Sequence, residues 1–236
     1  MRTKMIVTLF CTLIFVNLAF AQKTLVIYDP TVTFEDEVPM LPDAEQAVFE
    51  GTVLPRLKAK YQSDGCSVEP ELAGEVSGRF TKRDVVQKLA FYQVCQTGNG
   101  LGIIALVVFE NDKLVGVWGD ESGWTLSINS IADINANGTD EFTLSFGGGM
   151  HQGQGGIGVD VMEFSGGKPK SIGWFQGEKI MDTETESAWK VTVKSGKVPV
   201  FYRQKYIAGK RGKLIRTGGN SVFKLTKVEN GFEEIK

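Results

Sequence analysis

From about Glu75 to the C-terminus, segments of six to nine residues rich in Val, Ile, Phe and Trp alternate with clusters of Gly, Asn and Asp. Segments this short, punctuated this often, suit strands joined by turns, and the pattern predicts an antiparallel β domain. The expected strands are Val86 to Cys95, Leu101 to Phe109, Lys113 to Trp118, Trp124 to Asn129, Glu141 to Phe146, Gly158 to Phe164, Ser171 to Phe175, Ala188 to Val193, Pro199 to Tyr206, Gly212 to Arg216 and Ser221 to Lys227. Glu110-Asn111-Asp112 lies between two strongly apolar runs and reads as a hairpin turn. The first strand has a helical alternative, with Thr81 as cap and Asp84 in the first turn. The run Phe91-Tyr92-Gln93-Val94-Cys95 favours the strand.

The front of the chain differs. Lys23 to Tyr28 reads as a short strand stopped by Asp29-Pro30. Asp43 to Tyr61 carries apolar residues at 44, 47, 48, 54, 57 and 61, close to helical spacing. Pro55 removes a hydrogen bond from that helix and predicts a kink or two shorter helices. The fold class expected is mainly β: an antiparallel β domain over 76–236, preceded by a small α/β strand-helix segment over 22–75.

Residues 1–21 read as a secretory signal peptide. Arg2 and Lys4 precede an uncharged apolar run from Met5 to Phe20, which closes on the small-x-small site Ala19-Phe20-Ala21. Cleavage after Ala21 implies a secreted or periplasmic protein with no transmembrane anchor, since no later segment is long and apolar enough to span a bilayer. Cys11 leaves with the peptide, so Cys66 and Cys95 become the only available disulfide pair in a compartment that permits oxidation. Closing the loop between them restricts the unfolded ensemble by about 3–4 kcal/mol. Loss of Arg2 and Lys4 also moves the formal net charge of −2 further negative. An acidic chain with pI near 5.6 lacks the surplus of Lys and Arg that a nucleic-acid partner demands.

Charge is nevertheless segregated. Thr24 to Pro55 holds Asp29, Glu35, Asp36, Glu37, Asp43, Glu45 and Glu50 with no base, whereas Arg203, Lys205, Lys210, Arg211, Lys213 and Arg216 share a stretch with no acid. Solvated surface is the ordinary reading of such runs. Docking of the acidic segment on the basic hairpin, or an anionic polymer on that hairpin, is the alternative.

The most specific segment is Ile131-Ala-Asp-Ile-Asn-Ala-Asn-Gly-Thr-Asp-Glu-Phe-Thr-Leu144. Asp133, Asn135 and Asn137 place oxygens at every second position, Gly138 permits a sharp turn, Thr139 can offer its carbonyl, and an acid returns at Glu141. An EF-hand needs a bidentate acid where Leu144 stands and a helix on each side. Here Trp124, Leu126 and Ile128 before the loop, and Phe142, Leu144 and Phe146 after it, alternate as strands do. The segment resembles the calcium loop of the FG-GAP/VCBS repeats found in integrin-like and bacterial secreted β-propellers, D-x-[DN]-x-[DN]-G-x-x-[DE] before a strand. That resemblance implies calcium held by Asp133, Asn135, Asn137, the Thr139 carbonyl and Glu141, and a blade-like or partial-propeller or sandwich arrangement of strands. It covers a single copy, about Leu114 to Phe175. Oxygen-only ligands select calcium over zinc, and two carboxylates suggest a Kd of about 10⁻⁴–10⁻³ M. The other reading is an Asx-rich turn bonded to its own backbone.

Several other signals carry less chemistry. Gly153, Gly155 and Gly158 satisfy G-x-G-x-x-G, but a strand follows where a dinucleotide site needs a helix. The run Gly147 to Gly158 reads instead as a flexible hairpin loop beside the metal loop. His151, the only histidine, has no nucleophile motif to serve. Asn137-Gly-Thr139 is a glycosylation sequon only formally, because it falls inside the loop. Glu121, Asp160 and Glu163 are available to a two-carboxylate hydrolase, with no spacing to promote them. Trp118, Trp124, Trp174 and Trp189 are core residues by default, one or two of which could stack on a sugar.

The function expected is an exported, noncatalytic calcium-binding β module for binding or for surface or periplasmic interaction, with calcium mainly structural. Its partner is unidentified, a carbohydrate or a protein surface being the classes considered. A secreted hydrolase acting on polysaccharide or another exported substrate, and a structural subunit with no small ligand, are the alternatives.

Overall fold

A computed structural model describes residues 23–32, 39–63, 65–98, 100–151, 154–182 and 184–236. The expected signal peptide lies outside the described residues. The chain is mainly β. Among the described residues twelve strands form one antiparallel sheet, in which ten run as a meander in sequence order: β2 (Glu71–Gly78), β3 (Gln87–Gly98), β4 (Leu101–Glu110), β5 (Lys113–Ile131), β6 (Glu141–His151), β7 (Gln154–Ser165), β8 (Lys168–Met181), β9 (Glu184–Lys194), β10 (Val200–Ala208) and β11 (Leu214–Phe223). Two short strands join from outside the meander: β1 (Thr24–Tyr28) pairs with β9, and β12 (Glu233–Glu234) pairs with β5. No helix among the described residues is long and apolar enough to cross a membrane.

β5 organises the fold. Its 19 residues pair with β4 through Gly123 and with β6 from Trp124 onward, so one strand passes from the first half of the sheet into the second. The two strands expected over Lys113 to Trp118 and Trp124 to Asn129 are therefore one. The Gly119-Asp-Glu-Ser-Gly123 segment looks like a break locally, yet each of its residues opposes one of β4, and ladder pairing outweighs weak strand propensity. β11 likewise absorbs parts of two expected strands. β2 was not anticipated, because Glu71-Leu-Ala-Gly-Glu-Val-Ser-Gly78 is weakly apolar; it crosses the 75/76 boundary. A Cβ on its Gly74 would lie 2.8 Å from Ile128 Cγ2, so glycine allows β2 to cross close over the second half of β5.

Periodicity explains the layers. On β3 and β4, Leu89, Phe91, Ile104, Leu106 and Val108 join Phe80, Trp118, Ile128, Phe142, Leu144 and Met162 in a core between the two halves of the sheet. The alternate residues Ala90, Tyr92, Val94, Ile103, Ala105, Val107 and Phe109 pack under the helix. β4 is buried on both faces, which is why its sequence is almost continuously apolar. A third cluster on the outer face of the second half gathers Tyr28, Val159, Val161, Phe175, Val191, Val193 and Phe201.

The helix expected over Asp43 to Tyr61 forms as α1 (Asp43–Val48) and α2 (Leu54–Tyr61), joined by a π turn over Phe49–Val53. Pro55 stands in the first turn of α2, where its missing N–H is least costly, and the widened turn ahead of it accommodates the ring. Phe49, Val53 and Leu57 are buried against the sheet, and Phe49 stacks on Tyr92 with ring centroids 4.2 Å apart. Cys66 and Cys95 form the expected disulfide, with 5.6 Å between Cα atoms, pinning the segment after α2 to β3. At the β4–β5 hairpin Asn111 and Asp112 have φ of 50° and 61°, the two left-handed positions of a type I′ turn.

Candidate functional site

The 133–141 loop joins β5 to β6, and its oxygens organise its own backbone. Asp133 accepts hydrogen bonds from the N–H of Asn137 at 3.2 Å and of Gly138 at 2.8 Å. The Asn135 amide oxygen accepts from Asn137 N at 3.0 Å, and that of Asn137 from both N and Oγ1 of Thr139 at 2.7 Å. Gly138 takes φ of 94° with the Arg83 side chain packed over it, so the sharp turn expected there is built, with a backbone conformation that favours glycine. Asp140 accepts a fork of bonds from Arg79, the guanidinium approaching at 2.7 and 3.2 Å and the backbone N–H at 2.8 Å, and its Oδ1 also accepts from Asp133 N at 3.1 Å, so it ties the start of the loop to Arg79. Burial opposes ionisation of Asp140, but the Arg79 bonds prevail and hold its carboxyl below the usual range.

Two carboxylates complete the loop. Glu141 is fully buried; its Oε2 accepts from Ile134 N at 2.8 Å, and its Oε1 has no hydrogen-bond partner among the described residues. Burial, reinforced by the charges of Asp133 and Glu163 and only partly offset by Ile134 N–H, pushes Glu141 up to about 8. Glu163, from β7, accepts from the side-chain amides of Asn135 at 2.8 Å and Asn137 at 3.3 Å. Its contact with the loop was not legible in sequence, because only the β6–β7 pairing brings residue 163 beside residues 135 and 137. Among the described residues no three His, Cys, Asp or Glu side chains gather into a metal cluster. A cation here would thus rely on amide and backbone oxygens beside Asp133 and Glu141. The buried, unpartnered Glu141 Oε1 fits that donor set, since such an oxygen needs a positive or protic partner.

A second feature is a cleft of about 420 Å³ between the β4–β5 ladder, the β6–β8 face and the C-terminal segment 228–232. Leu144, Asp160 and Trp174 lie in one cross-strand row. In the next row Phe146 lies across Gly158, where a Cβ would come within 2.3 Å of its ring. Phe146 and Trp174 stand with ring centroids 6.3 Å apart. From the opposite wall come Asp120 and Glu121 of β5. Asp120 accepts from Gly231 N at 3.0 Å, and Asp160 from Ser171 Oγ at 3.0 Å. Burial raises the carboxyl pKa of both above the ordinary aspartate value, and the charge of Asp120 adds to the rise at Asp160.

Of the carboxylates singled out in sequence, Glu121 and Asp160 therefore share this cleft, whereas Glu163 belongs to the loop. Asp120 was missed because nothing local distinguishes it from a turn residue. The glycine-rich run is not a loop beside the metal loop. Outside 152–153, which are not among the described residues, it is the β6–β7 ladder, at the end of β6 remote from residue 141. Gly155 and Gly158 lie within β7, so no helix follows for a dinucleotide phosphate. Trp118 is core, while Trp174 faces the cleft.

No protein-family model matches the chain, and no match was found among curated proteins or solved structures. The likeness of residues 133–141 to an FG-GAP/VCBS calcium loop rests on the residues of that segment.

Proposed function

We propose that this chain is an exported, noncatalytic β module in which calcium fixes the 133–141 loop between β5 and β6, with a mainly structural role. The observation that carries the reading is Glu141: a fully buried carboxyl with one oxygen bonded to the loop backbone and the other unpartnered among the described residues, at the ninth position of an oxygen-bearing series. Asp133, Asn135, Asn137, the Thr139 carbonyl and Glu141 would hold the ion, and Glu163 would orient the two amides. When bound, calcium supplies charge neutralisation and a rigid hub. The chain's own residues position that hub against β7 through Glu163, and Arg79 keeps Asp140 from competing.

The test is thermal unfolding of the full mature chain with calcium, with magnesium, and without either. For an affinity of about 10⁻⁴–10⁻³ M, about 10 mM calcium stabilises by about 1.4–2.7 kcal/mol, which raises Tm by about 3–10 °C. Magnesium produces a smaller shift, because it demands stricter octahedral geometry. The shift is expected to vanish in Asp133→Ala. A wild-type Tm that ignores calcium would show that the loop is an Asx turn and nothing more. Export is tested separately by the mass of the mature protein, expected to begin at Gln22.

A further inference from the structure

The cleft between the β4–β5 ladder and the β6–β8 face has no part in the calcium reading and shares no residue with the 133–141 loop. We propose that it is a binding site for a small organic cation, an amine carried on an aliphatic chain. Asp120, Glu121, Asp160 and Glu229 line it, and no Lys, Arg or His does so among the described residues. Nearby Lys60 is committed elsewhere, paired with Glu233 at 2.7 Å. Like charges in a partly desolvated cleft repel; burial is the main cause that raises the carboxyls of Asp120 and Asp160, and neighbouring acids add a smaller part. A cation relieves that repulsion; a neutral ligand leaves it in place.

The donor and acceptor pattern points the same way. Ionised carboxylates only accept, and an ammonium only donates. Asp160 spends an acceptor position on the Ser171 hydroxyl and Asp120 on the backbone N–H groups of Gly231 and Glu121, and both keep others for a ligand. A sugar would need several donors as well; of the side-chain donors in the wall, Thr125 is bonded to the Gly123 carbonyl and Asn230 to Met162 sulfur, which leaves the Ser122 hydroxyl and the Trp174 indole N–H beside four carboxylates. The aromatic pair suits the same ligand. Phe146 and Trp174 both line the cleft, their rings inclined at 53°, and a cation held against an aromatic face gains from its quadrupole. Ile104, Leu144 and Phe232 provide apolar surface for a methylene stem. The volume lies within the range of small-molecule sites, roughly 300–1,000 Å³.

The experiment titrates the full mature chain at low ionic strength with butylammonium and spermidine, and with 1-butanol and glucose as uncharged counterparts. Binding is followed by calorimetry and by tryptophan fluorescence. Saturable binding of both amines is expected, tighter for spermidine. It should weaken about tenfold in Asp160→Asn and fall with added salt, as an exposed ion pair does. Circular dichroism checks that the variant is folded; if it is not, the more exposed Glu121→Gln takes its place, with a smaller loss expected. Equal responses to butylammonium and 1-butanol overturn the proposal, as does glucose binding in place of the amines. Unchanged amine affinity in the folded variant also overturns it. So does release of reducing ends from a polysaccharide that Asp160→Asn abolishes, because the cleft would then be a hydrolase site. Calcium dependence of the melting temperature bears on none of these outcomes, so the two proposals fail separately.

Discussion

Single atoms decide both sites. Gly158 lacks a Cβ because the Phe146 ring occupies that space, 2.3 Å from where the atom would stand. Gly158→Ala is expected to lose about 1–3 kcal/mol in urea unfolding through overpacking, and to displace the ring that borders the cleft. In the loop, Glu141→Gln keeps an oxygen for Ile134 N–H while removing the carboxyl that a bound cation would hold ionised. Its fold should survive, and its melting temperature should not respond to calcium. The alternation Asp133, Asn135, Asn137 and the turn at Gly138 were legible because they depend on neighbours a few residues apart. The capture of Asp140 by Arg79 spans 61 residues, and no local pattern announces it.

Among elements, the N-terminal part of the chain is held to the sheet by two specific ties. The Cys66–Cys95 bridge closes a separation of 29 residues between the post-helix segment and β3. Its replacement by two alanines is expected to cost about 2–5 kcal/mol, seen as a lower denaturant midpoint with reduced protection of α2. β1 is tied to β9 by backbone pairing and by the Asp29–Lys190 ion pair. Burial disfavours the charged form of Asp29, but the bonds from Lys190 and Thr31 together outweigh it and lower its pKa. The folded state then binds its proton less readily than the unfolded chain does. Stability from this pair is full above the ordinary aspartate pKa of about 3.9 and is lost as pH falls through the lower folded value. Acid titration of Tm should show that loss in the wild type and a flatter profile in Asp29→Asn. The helix was legible from its 3.6-residue period, and its division from Pro55. That the break would be a π turn followed from packing Phe49, Val53 and Leu57 on one sheet face.

Across the whole molecule, stability is expected to grade from β4 outward. β4 is buried on both faces, so hydrogen exchange should be slowest there and fastest along β11, an edge strand whose residues are mostly exposed. Leu106→Ala, in the core between the two halves of the sheet, should cost about 2–5 kcal/mol. By itself the sequence determined a mainly antiparallel β chain, most strand positions, the hairpin turn at Glu110-Asn111-Asp112, the divided helix and the one cysteine pairing. These follow from periods of two or 3.6 residues, from turn chemistry and from counting. Tertiary structure alone decided that β5 runs unbroken from one half of the sheet to the other, that β2 is a strand, and that Asp120 and Glu121 meet Asp160 while Glu163 goes to the loop. Each of those depends on which strands pair, and pairing energy resides in contacts between residues far apart in the chain, where a local pattern carries no information.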